Sequence, residues 1–363
     1  MSPDVERARA LFLAGVQHFE SGRLEPAEVA FAAALDLAPG RPSVLTNLGV
    51  VRVRLGRFDE ALPLLDQALA QEPGNVEALV HRAMALAELD RPVQALRDTE
   101  RALAVAPAVG KAWGLRGSLL KELGRHDEAA QALQRAIELG SDVDLHRYVL
   151  AGIRGDQAPA APPRAYVEQL FDNYAGGFDA HLTGPLAYQA PRVLLERLQQ
   201  AGHRFDHAAD LGCGTGLCGP WLRSMARQVT GVDVSARMLE QARAKHVYDE
   251  LVHADLVDYL RGPVGPFDLV VAADVFIYVG ALEPVFAALV PRLRPGAQLC
   301  FSVEESEGEA LALRPSLRYA HSEASIAQLA AAHGLQLAHL LRGPIRIDQG
   351  QPVAGLFAWM ARR

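Results

Sequence analysis

The sequence predicts two differently built parts, an all-α solenoid of repeated helix pairs followed by an α/β domain on a mainly parallel sheet. Three observations carry this reading. Residues recur with a period of 34 from about residue 8 to residue 142. Short apolar runs alternate with amphipathic ones from about residue 205 onward. A glycine-rich run, Asp210-Leu211-Gly212-Cys213-Gly214-Thr215-Gly216, sits between the first apolar run and a helix-like one. A chain of 363 residues is also long enough for more than one domain.

The repeat is specific. Ala27, Ala61, Ala95 and Ala129 lie 34 residues apart, as do Ala34, Ala68, Ala102 and Ala136. Pro39, Pro73 and Pro107 keep the register, with Ser141 in the fourth unit, and Gly15, Gly49, Ala83 and Gly117 form a further column. Small residues in fixed columns let paired helices approach closely, and a proline after each second helix prevents its continuation. Residues 143–155 read as a helix covering the open end that a repeat array leaves apolar. Residues 1–155 are thus the array, and the proline-rich stretch 156–164 reads as a linker.

Residues 165–363 form the second domain, with 165–204 expected to act as a lid. Strands are predicted at 207–212, 228–234, 250–254, 267–274 and 297–303, and helices at 215–226, 236–246, 282–293 and 322–333. Two last strands, 336–346 and 352–361, flank a turn of Asp348, Gln349 and Gly350 and must pair antiparallel. Ligands of such sheets sit at the carboxyl ends of the strands. There the sequence places Asp210, Asp233, Asp255 and Asp274, closing the first four strands in turn. A carboxylate after the second strand can accept from both ribose hydroxyls, and one after the third from an exocyclic adenine amine. Asp210 is placed to meet a cationic amine. An adenosine with an amino-acid tail suits the set.

The 34-residue units resemble tetratricopeptide repeats, four of them. The glycine run with its aspartates resembles the class I S-adenosylmethionine-dependent methyltransferases, and the whole resembles bacterial methyltransferases that carry such repeats. Tyr174-Ala175-Gly176-Gly177-Phe178-Asp179-Ala180-His181-Leu182 and Asp274-Val275-Phe276-Ile277-Tyr278-Val279-Gly280 contribute to the likeness. The resemblance implies a Rossmann-like, seven-stranded mixed sheet of order 3-2-1-4-5-7-6 and S-adenosyl-L-methionine as cofactor. It implies that Asp210, Gly212, Gly214 and Gly216 hold the methionine end and Asp233 the ribose. Val234 and Met238 would flank the adenine, Asp255 and Leu256 would read its amino edge, and Asp274 would complete the binding set. Tyr174 is expected at the methionine end. A sulfonium methyl is already activated, so catalysis needs alignment above all. For a general base, His181 in the lid and Tyr278 after the fourth strand are the best candidates.

Gly214-Thr215-Gly216-Leu217-Cys218-Gly219 also fits a dinucleotide fingerprint, but Asp210 would then face a pyrophosphate with the wrong sign. The net charge of −7 argues against general nucleic-acid binding. The most apolar stretch, 267–290, is broken by Asp268, Asp274, Glu283 and Pro284, so no membrane span is expected. Cys213, Cys218 and Cys300 show no metal spacing, no metal is expected, and a cytoplasmic location fits the sparse cysteines and the lack of a signal-peptide pattern. The resemblance to tetratricopeptide repeats implies a concave face holding Arg9, Phe12, Val16, Phe19, Thr46, Val50, Val53, Glu77, Met84, Lys111, Ser118 and Lys121, which would take a peptide or protein partner or else pack on the second domain or on a second copy. Two alternatives stay open: a scaffold with a silent cofactor domain, and a small-molecule methyltransferase whose array serves only assembly.

Overall fold

A computed structural model of the chain describes residues 3–348 and 350–363; Gln349 of the expected turn lies outside the described residues. The chain divides into two compact units, Met1–Ile153 and Arg154–Arg363.

The first unit is four antiparallel helix pairs and a ninth helix. The pairs are α1 (Pro3–Glu20) with α2 (Leu24–Leu37), α3 (Pro42–Arg54) with α4 (Phe58–Gln71), α5 (Val76–Glu88) with α6 (Pro92–Val105), and α7 (Gly110–Glu122) with α8 (His126–Glu138). Helix α9 spans Val143–Arg154. The glycine column is explained by packing across each pair. A Cβ on Gly15 would lie 2.6 Å from the Phe31 ring, one on Gly49 2.7 Å from Leu65, and one on Gly117 2.6 Å from Leu133. Each partner stands 16 residues later, and where Ala83 replaces glycine that position is the smaller Thr99. Arg82 forks onto the buried Asp98 (2.7 Å from both Nε and Nη2) and reaches Asp66 (2.6 Å), tying α5 to α6 and α4. Of the expected concave positions, Thr46, Val50 and Val53 are buried, so they offer no open surface. Val53 belongs to the array's apolar core, and Thr46 accepts from Asn75 Nδ2. Arg9, Glu77, Met84, Lys111 and Ser118 are exposed.

The second unit is a sheet with helices on both faces. It opens with α10 (Arg164–Tyr174), α11 (Phe178–Thr183) and α12 (Ala190–Gln200). There follow β1 (Phe205–Leu211), α13 (Gly219–Met225), β2 (Ala226–Asp233), α14 (Ala236–Ala244), β3 (Glu250–His253) and α15 (Leu256–Arg261). The chain continues through β4 (Phe267–Ala272), α16 (Glu283–Leu289), β5 (Leu293–Glu305), β6 (Leu311–Leu313) and β7 (Tyr319–His321). It ends with α17 (Glu323–Ala332), β8 (Leu335–Asp348) and β9 (Gln351–Arg362). Strands β1 to β5 pair in parallel as β3-β2-β1-β4-β5. Strand β9 runs antiparallel to β5 and carries β8 on its outer edge. These seven strands take the expected order, with β9 in the antiparallel place. The sheet has nine strands rather than seven, because the three-residue β6 and β7 add a small ladder at the carboxyl end of β5. Such short pieces leave no alternation to read.

Alternation along the strands feeds two cores. Ala209 and Leu211 of β1 and Val270 and Ala272 of β4 pack under α15, α16 and α17. Ala208, Leu269 and Val271 face α12 and α13. The helix expected at 215–226 is shorter, starting at Gly219, because the glycine turn continues to that point. Part of the expected linker belongs to this unit: Ala160 O accepts from Ala281 N at 2.8 Å. Gly280, at φ +84°, leaves room for that carbonyl, which a Cβ would approach to 2.4 Å.

Candidate active site

The carboxyl ends of β1 to β4 open into a cavity of about 360 Å³, roofed by α10, α11 and the segment after them. Its wall includes Tyr174, Asp210, Gly212, Gly214, Asp233, Val234, Asp255, Leu256, Asp274 and Tyr278, all singled out from the sequence. Gly216, Met238 and His181 do not line it. Met238 is fully buried, its N–H donating to Ser235 Oγ (3.1 Å) at the start of α14. His181 is exposed and touches the Tyr174 hydroxyl through Nδ1.

The glycine turn is built for two different neighbours. Gly214, at φ +53°, has only the edge of Phe178 within reach of a Cβ (3.8 Å), which leaves backbone open to the cavity. Gly216 instead makes room for Tyr248, whose ring a Cβ would meet at 2.9 Å. Gly219 and Gly231 make room for the same ring, at 3.1 and 3.0 Å. The Tyr248 hydroxyl donates to Asp210 Oδ2 at 2.6 Å. The sequence offered no sign of this tyrosine, which lies 38 residues beyond its partner.

Asp210 is 1% exposed, and among the described residues no cation pairs with it. Burial pushes its carboxyl up to about 7, against the bond from Tyr248 and with repulsion from Asp233. Asp233, also buried, accepts from Gly214 N and Ser235 N, each at 2.8 Å. Burial raises its pKa, and those backbone bonds oppose the shift. One Asp233 oxygen therefore anchors the glycine turn itself. Asp255 caps α15, its Oδ1 accepting from Val257 N (2.8 Å) and Asp258 N (3.1 Å). Oδ2 makes no hydrogen bond among the described residues.

The segment that roofs the cavity is tied down at several points. Asp179 of α11 takes Lys245 Nζ (2.7 Å) and the Thr215 hydroxyl of the turn. Asp172 of α10 accepts from Ser235 Oγ at 2.5 Å. Further on, Ile347 N donates to Leu186 O (2.7 Å) and Gln189 N to Ile345 O (3.4 Å), bracketing Arg346.

Asp274, in the cavity wall, is held by a cation. It sits in the left-handed region (φ 58°), a conformation aspartate tolerates better than most residues. Its N–H donates to Ser302 Oγ (2.8 Å), and both carboxylate oxygens accept from Arg346 Nη1 (3.2 and 3.0 Å). Arg346 is reached through a bulge in β8 between Pro344 and Arg346, with Ile345 packed over Gly355. Its Nη2 meets the buried Glu304, which also faces Arg314 Nε at 3.3 Å. Beside them Arg318 donates from Nε to the Tyr278 hydroxyl (3.1 Å) and from Nη1 to Asp348 (2.8 Å). Burial raises the Tyr278 pKa, so at neutral pH it is a phenol and a poor base. Arg318 and Arg346 were not foreseen. The sole hint was an arginine set between two isoleucines, Ile345 and Ile347.

Three comparisons bear on this geometry. Residues 208–296 match the profile of a methyltransferase domain, and residues 18–87, 52–97 and 90–144 match profiles of tetratricopeptide repeats. The chain thus joins an array of tetratricopeptide repeats to a methyltransferase domain of the class I, Rossmann-like fold. Methyltransferase-like protein 27 of Homo sapiens is 35% identical over 155 residues, 40% of this chain and 60% of that protein. Trans-aconitate 2-methyltransferase of Paracidovorax citrulli is 34% identical over 106 residues, 29% of this chain and 41% of that protein. The chain spans about half the length of the curated relatives it matches. Among solved structures, N-methyltransferase NodS from Bradyrhizobium japonicum, in complex with S-adenosyl-L-homocysteine, aligns with a TM-score of 0.45 at 20% identity. The alignment covers 54% of this chain and 97% of that one. No metal-binding cluster, and no helix long and apolar enough to cross a membrane, occurs among the described residues.

Proposed function

We propose that the second unit transfers a methyl group from S-adenosylmethionine to an acceptor, and that the repeat array recruits or positions the molecule bearing that acceptor. One observation carries the cofactor reading: Asp210 is a buried carboxylate with no cationic partner among the described residues, set beside open glycine backbone. A cationic amino-acid tail would supply that partner, whereas a pyrophosphate would add to the repulsion. Asp233 then meets the ribose, Asp255 Oδ2 the adenine amine, and Val234 and Leu256 the faces of its ring.

When bound, the cofactor supplies a methyl group already activated for displacement. The chain's own residues have the remaining work. Asp210, the glycine turn and Asp233 fix the position of the methyl donor. Phe171, Phe178 and Leu182 of the lid shield the reacting centre from water, and alignment of this kind is worth about 7–11 kcal/mol of barrier. Tyr278 fits a hydrogen-bond donor better than the base expected from the sequence, and His181 acts on the site through Tyr174.

For the array, support comes from its repeat class and from Leu13, Val29 and Val93, each more than half exposed. Calorimetry with S-adenosylmethionine tests the first part, and failure of the purified chain to bind would sink it. In Asp233→Ala, affinity should fall at least about tenfold, the loss of hydrogen bonds to a charged group at about 1.5–3 kcal/mol. Labelled methyl transfer into lysate fractions then tests the acceptor, and equal transfer after deletion of the array would remove its recruiting role.

A further inference from the structure

We propose that the methyl acceptor is an organic carboxylate, docked through its anionic group on Arg318 and Tyr278 with an apolar body against the lid. This rests on the methyl-transfer reading and adds a substrate class to it. The cavity has two chemically opposite ends. Asp210, Asp233 and Asp255 gather at the ends of β1, β2 and β3, and the end near β4, β5 and β8 presents donors.

Arg318 uses Nε on Tyr278 and Nη1 on Asp348, so Nη2 has no hydrogen-bond partner among the described residues. Because Tyr278 oxygen accepts from Arg318, its own proton is available to another acceptor. The phenol stays protonated through burial, and Arg318 is held above its ordinary pKa by Tyr278, Asp348 and Glu304, against its own burial. Arg346, its side chain 97% buried in the cavity wall, holds the carboxylates behind these two donors; its Nε has no hydrogen-bond partner among the described residues but is itself enclosed, so the donors offered to a ligand are Arg318 Nη2 and the Tyr278 hydroxyl. Buried donors left without acceptors are costly, and a carboxylate brings two oxygens with several lone pairs.

The carboxylates at this end do not cancel the attraction. Both oxygens of Asp274 are held by Arg346, and Glu304 is shared between Arg346 and Arg314. Asp348, the counter-ion of Arg318, is 37% exposed, so solvent screens it more than it screens the guanidinium, which is 23% exposed. Opposite stand Phe171, packed edge-on to Tyr278 at 4.9 Å, with Leu182 and Leu186. They suit an alkyl or aryl body and reject a second charge.

The test uses the full chain, benzoate and octanoate as probes, and benzamide and octanamide as neutral counterparts, followed by ligand-observed NMR titration. Titrations run with and without S-adenosylhomocysteine, whose own binding is measured separately by calorimetry. Both acids should bind at least about tenfold tighter than their amides, about 1.4 kcal/mol. Arg318→Met should erase that preference while S-adenosylhomocysteine affinity stays within about twofold, which also shows that the variant folds. Tyr278→Phe, a milder change, should reduce the preference by about threefold. Equal binding of acids and amides, no binding of either acid, or an unchanged preference in Arg318→Met would overturn the proposal. Loss of S-adenosylhomocysteine binding alone would instead strike the cofactor reading and leave the acid titrations readable.

Discussion

Replacing Tyr248 by phenylalanine isolates the least expected contact in the site. The ring still fills the space left by Gly216, Gly219 and Gly231, and only the 2.6 Å bond to Asp210 is lost. That bond holds down a carboxyl which burial has pushed up to about 7. Removing a hydrogen bond to a charged group costs about 1.5–3 kcal/mol, or roughly 1–2 pKa units at 1.36 kcal/mol each. Asp210 is about half ionised at pH 7 in the parent and would be about 1–10% ionised in the variant. If the cationic tail binds the ionised form, affinity for S-adenosylhomocysteine falls about 5- to 50-fold at pH 7 and recovers to within about twofold near pH 9. The ratio of the two proteins' affinities is the quantity to follow, because titration of the ligand cancels in it. Calorimetry between about pH 6 and pH 9 measures it. A ratio that stays near one, or that does not change with pH, would refute the role of Asp210 as the cation's partner.

The same carboxyl shapes stability. Its folded pKa of about 7 lies above the ordinary 3.8, so the native state binds the extra proton. Its contribution is full below about pH 4 and is lost as pH rises through about 7. Thermal unfolding of the ligand-free chain should show this fall in the second unit, and Asp210→Asn should lack it. Arg346→Met leaves Asp274 and Glu304 without their shared cation, a loss of about 3–5 kcal/mol. Scanning calorimetry should show the midpoint of the second unit lowered by roughly 6–20 °C. In the array, Gly49→Ala drives a methyl to 2.7 Å from Leu65 and should cost about 1–3 kcal/mol by denaturant titration. Adding Leu65→Thr, which copies the Ala83 and Thr99 combination of the next unit, should restore part of it.

Much of the architecture was legible because it is written in local periods. The 34-residue columns predicted the helix pairs, and proline columns fall two residues beyond α2, α4 and α6. Apolar runs located β1 to β5 and the last hairpin. What stayed hidden was short or irregular. Strands β6 and β7 have three residues each, α15 has six, and helices α10 and α11 follow no strand that would announce them. Of the site, the strand-end aspartates were readable because turn position follows from strand position. Met238 does not line the cavity: a helical residue near a ligand turn faces either the ligand or the interior, and in α14 Met238 is buried, as are Leu239 and Ala242.

The sequence by itself determined that a repeat array precedes an α/β domain, and that carboxylates gather where the glycine turn meets the sheet. Those conclusions need only spacing along the chain. Tertiary structure alone decided what each carboxylate has as a neighbour. Asp210 acquires Tyr248 from 38 residues away, and Asp274 acquires Arg346 from 72 residues away. The physical reason is that charge and proton affinity depend on burial and on partners in space, and a one-residue bulge in β8 decides which way an arginine faces. Four aspartates at equivalent strand ends thus have different fates: a buried acid bonded to a tyrosine, an anchor of the glycine turn, a helix cap and half of an ion pair.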